Sequence, residues 1–381
     1  MQAPCTILYI ITSTNAGGSE RALTELLRRI DRSRYRPFVC SLKKPGAFAP
    51  DIAAAAEGFF SLGLSEAGGL RAIASFLPAL VRLVILLKRI KPLIIHGYLF
   101  RANIIGRIAA RIAGVPVVIS SIRVIEPEKQ FKHFIDRLTA SLVHMYIAVS
   151  EAARRFTIER VRVAPDRIVT VRNGIDCSSE RSGRAPPLAV DEECINLALI
   201  GRFERQKGHA VFISALQEVV RRFPDVRAYF CGEGPGEQRI RQLVQRSGLS
   251  GHVVFAGVVR DIAAFMAHMD LIVLPSLWEG MPNVLLEAMA QARPVVASRV
   301  AGIDEVVADG KTGLLVEPGD AGSLAAGIIR VVACRQDALQ MGQRGRQRVH
   351  EAFTIEETVR STVTLYGRLL RKKGFAAGCG S

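Results

Sequence analysis

What most constrains this chain is a pattern that runs through it twice. Short, continuous runs of β-branched and other apolar residues alternate with longer stretches of helical periodicity. In the first half the runs are Thr6–Thr12, Phe38–Leu42, Phe59–Leu62, Leu93–His96, Val117–Ser121, Tyr146–Val149 and Ile168–Val171. In the second they are Ile195–Ile200, Ala228–Cys231, Val253–Phe255, Leu271–Leu274, Pro294–Ala297 and Leu314–Val316. A strand with no polar face must be buried on both faces, and helices between such strands supply the crossovers of a parallel sheet. Between the halves, residues 177–191 are polar and carry Ser178-Ser179, Ser182-Gly183 and Pro186-Pro187, the composition of a linker. The expectation is an α/β protein of two doubly wound domains facing across a cleft. They span 1–176 and 192–354, joined by 177–191, and 355–381 forms a C-terminal helix and tail that return to the first domain. Ligands of such sheets bind at the carboxyl ends of the strands.

Composition narrows the class. With 49% hydrophobic and 23% charged residues the chain is globular, not disordered. Its seven cysteines are odd in number and scattered without a CxxC pair, which argues against a disulfide framework or zinc site and for a reducing cytoplasm. The start, Met1-Gln2-Ala3-Pro4-Cys5, has no basic segment before its apolar run, so a secretory signal is not expected. The net charge of +16 is lopsided: residues 1–190 hold 28 Lys/Arg against 14 Asp/Glu, the remainder 23 against 21. A surface so basic attracts nucleic acid or an anionic membrane leaflet. The first half has no tryptophan and no DNA- or RNA-binding motif, so the membrane surface is favoured and nucleic acid is not expected. No span is predicted, because Arg82, Lys88, Arg89 and Lys91 interrupt Leu77–Ile95 and Pro92 breaks it. Leu70–Ile90 instead reads as a basic amphipathic helix. Packing on a sheet and interfacial membrane contact are both compatible with it.

The chemistry concentrates at strand ends. Gly17-Gly18 follows the first run and opens a helix, where backbone can approach a phosphate or simply turn tightly. Arg202 and Lys207, flanked by Gly201 and Gly208, follow the first run of the second half. Gly232-Glu233-Gly234-Pro235 and Val258-Val259-Arg260 follow the next two. After Leu271–Leu274 comes Glu279-Gly280-Met281-Pro282-Asn283-Val284-Leu285-Leu286-Glu287. Here a helix start, with Asn283 as its expected N-cap, lies between two carboxylates: an anion site flanked by acceptors for hydroxyls. Glu287, set between Leu286 and Ala288, is poorly placed as an ordinary solvent-facing charge. Read alone, the run allows many phosphate ligands.

Taken together, these motifs resemble family GT4 of the retaining glycosyltransferases, whose fold is GT-B, two Rossmann-like domains. The likeness covers nearly the whole chain and includes Gly17-Gly18-Ser19-Glu20-Arg21, Val149-Ser150-Glu151 and Asn173-Gly174-Ile175-Asp176 beside the segments above. It implies that Arg202 and Lys207 stabilise the departing diphosphate, without a metal or other cofactor. It implies that Glu279 lies near the donor sugar and Glu287 at the ribose. The backbone of Asn283, Val284 and Leu285 would meet the diphosphate, Gly17 and Gly18 would approach the distal phosphate, and Gly232 and Val259 would lie near the nucleoside. Many relatives carry a histidine after the strand matching Val117–Ser121. This chain has Ser120-Ser121-Ile122-Arg123, so Arg123 occupies the expected position as an acceptor-side candidate, and a histidine's role or its donor-sugar contact does not simply carry over to it. His96 is a candidate polar group at a strand end on the acceptor side, whereas His133 and His144 read as structural residues in helical stretches. The expected function is transfer of a sugar from a nucleotide diphosphate sugar, with UDP the commonest nucleotide, to a hydroxyl of a polyprenyl-linked or polysaccharide acceptor. The expected place is the cytoplasm, at or near the membrane face. Two alternatives stand beside it: a sugar-nucleotide epimerase on the same fold, and a non-catalytic membrane-associated subunit that presents substrate.

Overall fold

The computed structural model describes residues 4–15, 17–64, 70–177 and 188–375, with 70–75 described by backbone alone. Most of the expected linker, 178–187, and the end of the tail, 376–381, lie outside the described residues. The chain divides into two compact units, Met1–Gly174 with Ile355–Ser381, and Ile175–Thr354.

In the first unit the strands are β1 (Cys5–Ile11), β2 (Tyr35–Lys43), β3 (Gly58–Leu64), β4 (Ile94–Tyr98), β5 (Val117–Ile122), β6 (Met145–Ala148) and β7 (Ile168–Thr170). They form one parallel seven-stranded sheet in the order β3-β2-β1-β4-β5-β6-β7. The helices between them are α1 (Gly18–Arg29), α2 (Ala49–Ala55), α3 (Leu70–Ile90), α4 (Phe100–Ala113), α5 (Gln130–Thr139) and α6 (Glu151–Val161). Side chains alternate along β1 between two separate cores. Ile7, Tyr9 and Ile11 pack with α1, and Leu8 and Ile10 pack with α3 and α4. Neither face meets water, which is why the run reads as continuously apolar. Gly17, expected to open a helix, is the N-cap of α1, and Ser150 caps α6, its side chain accepting the Ala153 N–H. His144 departs from it. The residue lies outside any helix, just before β6, and its Nδ1 accepts the Val118 N–H at 3.0 Å.

The second unit repeats the plan with β8 (Ile195–Ile200), β9 (Val226–Cys231), β10 (Val253–Gly257), β11 (Leu271–Leu274), β12 (Val295–Ser298) and β13 (Leu314–Val316), in the order β10-β9-β8-β11-β12-β13. Its helices are α7 (His209–Arg222), α8 (Glu237–Arg246), α9 (Ile262–Met266), α10 (Asn283–Ala290), α11 (Ala321–Ala333) and α12 (Arg335–Ala352). The strand order reverses between β8 and β11, where the two open toward different sides of the sheet and leave a crevice for ligands. Helix α12 escaped the sequence reading because much of its buried stripe is glycine. A Cβ on Gly342 would lie 2.0 Å from the Ala292 carbonyl oxygen, so the helix backbone itself is the packing surface.

The last helix, α13 (Ile355–Lys372), rejoins the first unit, as the sequence suggested. Leu365, Tyr366, Leu369 and Leu370 enter the core that holds Ile7 and Tyr9. The chain therefore leaves the first unit at Gly174 and re-enters it at Ile355. The second unit is closed where it begins and ends: Ile175 bridges Thr354, and the Ile175 N–H donates to the Phe353 carbonyl at 3.0 Å. Among the described residues no helix is long and apolar enough to cross a membrane.

Candidate active site

The loops after β8 and β11 meet because their strands are paired neighbours. Main chain ties them: the Leu277 N–H donates to the Gln206 carbonyl at 2.8 Å, and the Gln206 amide donates to the Trp278 carbonyl at 2.8 Å. The approach is close enough to demand glycine. Gly208 adopts φ 69°, and a Cβ there would stand 1.9 Å from the Pro275 carbonyl oxygen. On the far side Gly302, at φ 86°, would place a Cβ 1.7 Å from the Gly280 carbonyl oxygen. Nothing local in the sequence distinguishes Gly302, since its partner lies in another loop.

This scaffold brings two of the expected residues into contact. The Lys207 ammonium lies 2.6 Å from Glu279 Oε1, with side-chain exposures of 18% and 6%. Ser276 Oγ donates to the same oxygen at 2.8 Å, and Gln206 approaches Oε2 at 3.4 Å. A carboxylate so enclosed is fixed in direction by its cation and its donors. Ser276 and Gln206 were not picked out from sequence. Gln206 is the residue before Lys207, and Ser276 stands three before Glu279, so proximity to the motifs was the only signal. Arg202 is placed differently: exposed, and paired with Glu204 at 3.1 Å. Lys207 ends a single 3-10 turn, Arg205–Lys207, Gly208 follows in the left-handed conformation, and α7 starts at His209. His209 is buried, stacked 4.6 Å from Phe203 and edge-on to Phe230. Neither of its ring nitrogens has a hydrogen-bond partner. Burial, then the Lys207 charge, push its pKa down to about 4.

At α10 the cap position is Pro282 and Asn283 is the first helical residue, so Asn283 is not the N-cap the sequence suggested. Proline with an extended backbone ends the loop and leaves no side-chain oxygen over the first turn. The first-turn N–H groups still point out of the helix end. The Leu285 N–H is already engaged, donating to the Pro282 carbonyl at 3.2 Å, while Val284 is half-buried in the same turn. Glu287 lies one turn further on, half-buried. Gly232 donates its N–H to the Gly257 carbonyl at 2.7 Å, joining the loops after β9 and β10, and Val259 follows there, half-buried. Among the described residues no three His, Cys, Asp or Glu side chains are grouped so as to hold a metal ion.

The first unit gathers a second polar cluster. Gly17 sits over Glu20, which is buried and accepts from Ser13 Oγ at 3.0 Å; Gly18 begins the helix. His96 lies in the middle of β4, not at its end, and is 1% exposed. Its Nδ1 is 2.6 Å from the Tyr366 hydroxyl and its Nε2 2.7 Å from Ser121 Oγ. Both ring nitrogens are thus committed inside the fold, and burial, then the Arg123 charge, push its pKa down to about 3. The polar group expected to be open to acceptor is a buried tie between strand and C-terminal helix. Arg123 donates to Asn173 Oδ1 at 2.7 Å and lies 5.3 Å from the Tyr98 ring centroid. Burial lowers its pKa, against the pull of Tyr98 and Glu20. His96, Tyr98, Arg123, Asn173 and Thr362 line a small cavity in this unit. Asn173 was known from sequence only as part of a motif, and Tyr98 and Thr362 were not singled out there.

Residues 195–334 match the family described as glycosyl transferases group 1, and residues 16–179 match glycosyltransferase family 4. Among curated proteins, the alpha-maltose-1-phosphate synthase of Mycolicibacterium smegmatis is 31% identical over 72% of this chain and 79% of its own length. The UDP-Gal:alpha-D-GlcNAc-diphosphoundecaprenol alpha-1,3-galactosyltransferase of Escherichia coli is 26% identical over 76% of this chain and 78% of its own. In fold, Anabaena HepE, solved with UDP and glucose, superposes with a TM-score of 0.83 over 96% of this chain and 100% of its own, at 22% identity. With the GT-B pair of Rossmann-like units, this likeness means that the chain belongs to glycosyltransferase family 4 and is a glycosyltransferase acting on nucleotide sugars.

Proposed function

We propose that this protein is a retaining, metal-independent hexosyltransferase that moves a sugar from a UDP-sugar to a hydroxyl of a lipid-linked or polysaccharide acceptor. The observation that carries the reading is the Lys207–Glu279 pair, set at the carboxyl ends of β8 and β11 beside the start of α10. In this reading the bond from the sugar's anomeric carbon to the β-phosphate oxygen breaks, the acceptor oxygen takes its place on the same face, and the acceptor's proton passes to the departing diphosphate. Lys207 and Arg202 neutralise the charge that grows on the departing diphosphate, with N–H groups at the start of α10. Glu279, held by Lys207 and Ser276 on Oε1, keeps capacity on Oε2 for a sugar hydroxyl, and Glu287 accepts from the ribose. Gly232 and Val259 lie toward the nucleoside, and Gly17 and Gly18 approach the distal phosphate. The second unit is then the nucleotide-sugar domain, and the first, with Arg123, the acceptor domain. The E. coli relative's name, a UDP-Gal donor with a diphosphoundecaprenol acceptor, supports both halves of the reading, and UDP in the Anabaena neighbour supports the donor half.

The test is a panel of nucleotide sugars incubated with polyprenyl-diphosphate and oligosaccharide acceptors, with mass spectrometry of products and assay of released nucleoside diphosphate. Transfer from a UDP-sugar with retained anomeric configuration is expected. No transfer from any donor, together with normal donor binding by Arg202→Ala, would remove the assignment.

A further inference from the structure

Helix α3 is apolar on the side that faces water as well as on the side that faces the sheet. Ala79, Leu83 and Leu87 are buried against β-strand residues, as an amphipathic helix requires. On the opposite side Leu77, Val81 and Ile85 are 65%, 50% and 62% exposed. They stand four residues apart and so form one stripe along the helix. Helix α5 repeats the feature: Phe131, Phe134 and Leu138 are 74%, 57% and 64% exposed, at three- and four-residue spacing. Both helices pack against α4, where Ile112 is exposed as well, so the three belong to one helical layer of the first unit. Water-facing apolar side chains of this size in two helices of one layer are unusual in a monomer.

The charge of the same layer says what covers it. Arg82, Lys88 and Arg89 are exposed on α3, Arg101 and Arg111 on α4, and Arg137 on α5. The three helices contain one acidic residue, Asp136, and it is buried against Arg107. Exposed apolar stripes are therefore flanked by exposed cations with no exposed carboxylate on the same helices. A second copy of this face would bring like charges together across a twofold, at a cost. Anionic lipid headgroups complement it: long basic side chains reach phosphates while their stems and the apolar stripes enter the acyl boundary.

We propose that the layer formed by α3, α4 and α5 rests on an anionic membrane leaflet, with Leu77, Val81, Ile85, Phe131, Phe134 and Leu138 inserted at the interface. The surface belongs wholly to the first unit and acts independently of which donor or acceptor the enzyme uses. Its position suits a glycosyltransferase whose acceptor is carried by lipid, but binding to the leaflet requires neither substrate.

The test is flotation of the full chain with vesicles of phosphatidylcholine and phosphatidylglycerol, against vesicles of phosphatidylcholine alone. Binding to the anionic vesicles, weakened by salt, is expected. Each cation near such a surface contributes about fivefold, so Arg82→Gln/Lys88→Gln/Arg89→Gln together should weaken binding about a hundredfold. Leu77→Ser/Val81→Ser/Ile85→Ser and, separately, Phe131→Ser/Phe134→Ser should abolish it even at low salt. As a check that does not depend on loss, Phe134→Trp should add a fluorescence component that shifts to the blue on anionic vesicles. Equal binding to both vesicles, binding untouched by the apolar substitutions, or an added component in the Phe134→Trp variant that does not shift would overturn the proposal. So would a dimer in light scattering, without vesicle binding, that the α3 substitutions dissociate, because the face would then belong to a second copy.

Discussion

Lys207 and Glu279 carry opposite charges where water reaches little of either, at 18% and 6% side-chain exposure. Removing one partner strands the other. Lys207→Met should destabilise the second unit by about 3 kcal/mol, because Glu279 would keep a buried charge with only Ser276 and Gln206 beside it. Adding Glu279→Gln should restore most of that in urea unfolding, while turnover stays down by about a hundredfold or more in both variants. If stability and turnover recovered together, the pair would be structural only. His209 makes a contrasting case, since both ring nitrogens are buried without partners. His209→Leu should be neutral or stabilising by about 1 kcal/mol at neutral pH, read from denaturant midpoints. The pH dependence has a definite sign. His96 and His209 hold pKa values of about 3 and about 4 in the fold, below the ordinary 6.5. Their contributions are present in full above pH 6.5 and are lost as pH falls toward those values, where the unfolded chain binds protons that the native chain refuses. Each steepens the loss by about 1.4 kcal/mol per pH unit. His209→Leu should remove one of the two slopes in denaturation series between neutral pH and pH 4; an unchanged slope would contradict the assignment.

Among the elements, α13 has the most to lose. It was legible as a helix from its periodicity, and its docking rests on contacts far away in sequence: Tyr366 meets His96 at a separation of 270 residues and also donates to the Tyr9 hydroxyl at 3.2 Å. Tyr366→Phe should cost the first unit about 1–3 kcal/mol, since it leaves His96 and Tyr9 short of a buried partner. Ending the chain at Thr354 would remove Leu365, Tyr366, Leu369 and Leu370 from the core and expose the sheet face they cover. Burial of such side chains contributes about 1.5–3 kcal/mol each, and the sum rivals the stability of a domain. The truncated chain should lose cooperative unfolding of the first unit in calorimetry and keep that of the second. Helix α3 shows where pattern reading falls short. Its sequence predicts an amphipathic helix, and the buried side is as expected. That Leu77, Val81 and Ile85 face water follows only from where the sheet and α4 stand.

At the scale of the whole molecule, one unit is inserted into the other. Ile175 and Thr354 bridge where the inserted unit begins and ends, and its core is its own. Residues 175–354 should therefore fold alone, and UDP should raise their melting temperature; a saturating ligand at about a hundred times its Kd adds about 2.7 kcal/mol. A fragment that folds without responding to UDP would move the nucleotide site elsewhere. The sequence by itself determined the strands, the helix starts after Gly17 and within the Glu279–Glu287 run, and the order of the motifs, because β-branched runs and glycines act over a few residues. It also determined the two sheets, since strands without a polar face have no other place to go. Tertiary structure decided which distant groups touch. Lys207 reaches Glu279 across 72 residues because β8 and β11 are neighbours at the point where the strand order reverses. His96, at a strand end by its sequence, became a buried tie because α13 returns over the sheet. Local chemistry names what a residue can do, and only the packing of distant segments fixes its partner, its access to water and its charge.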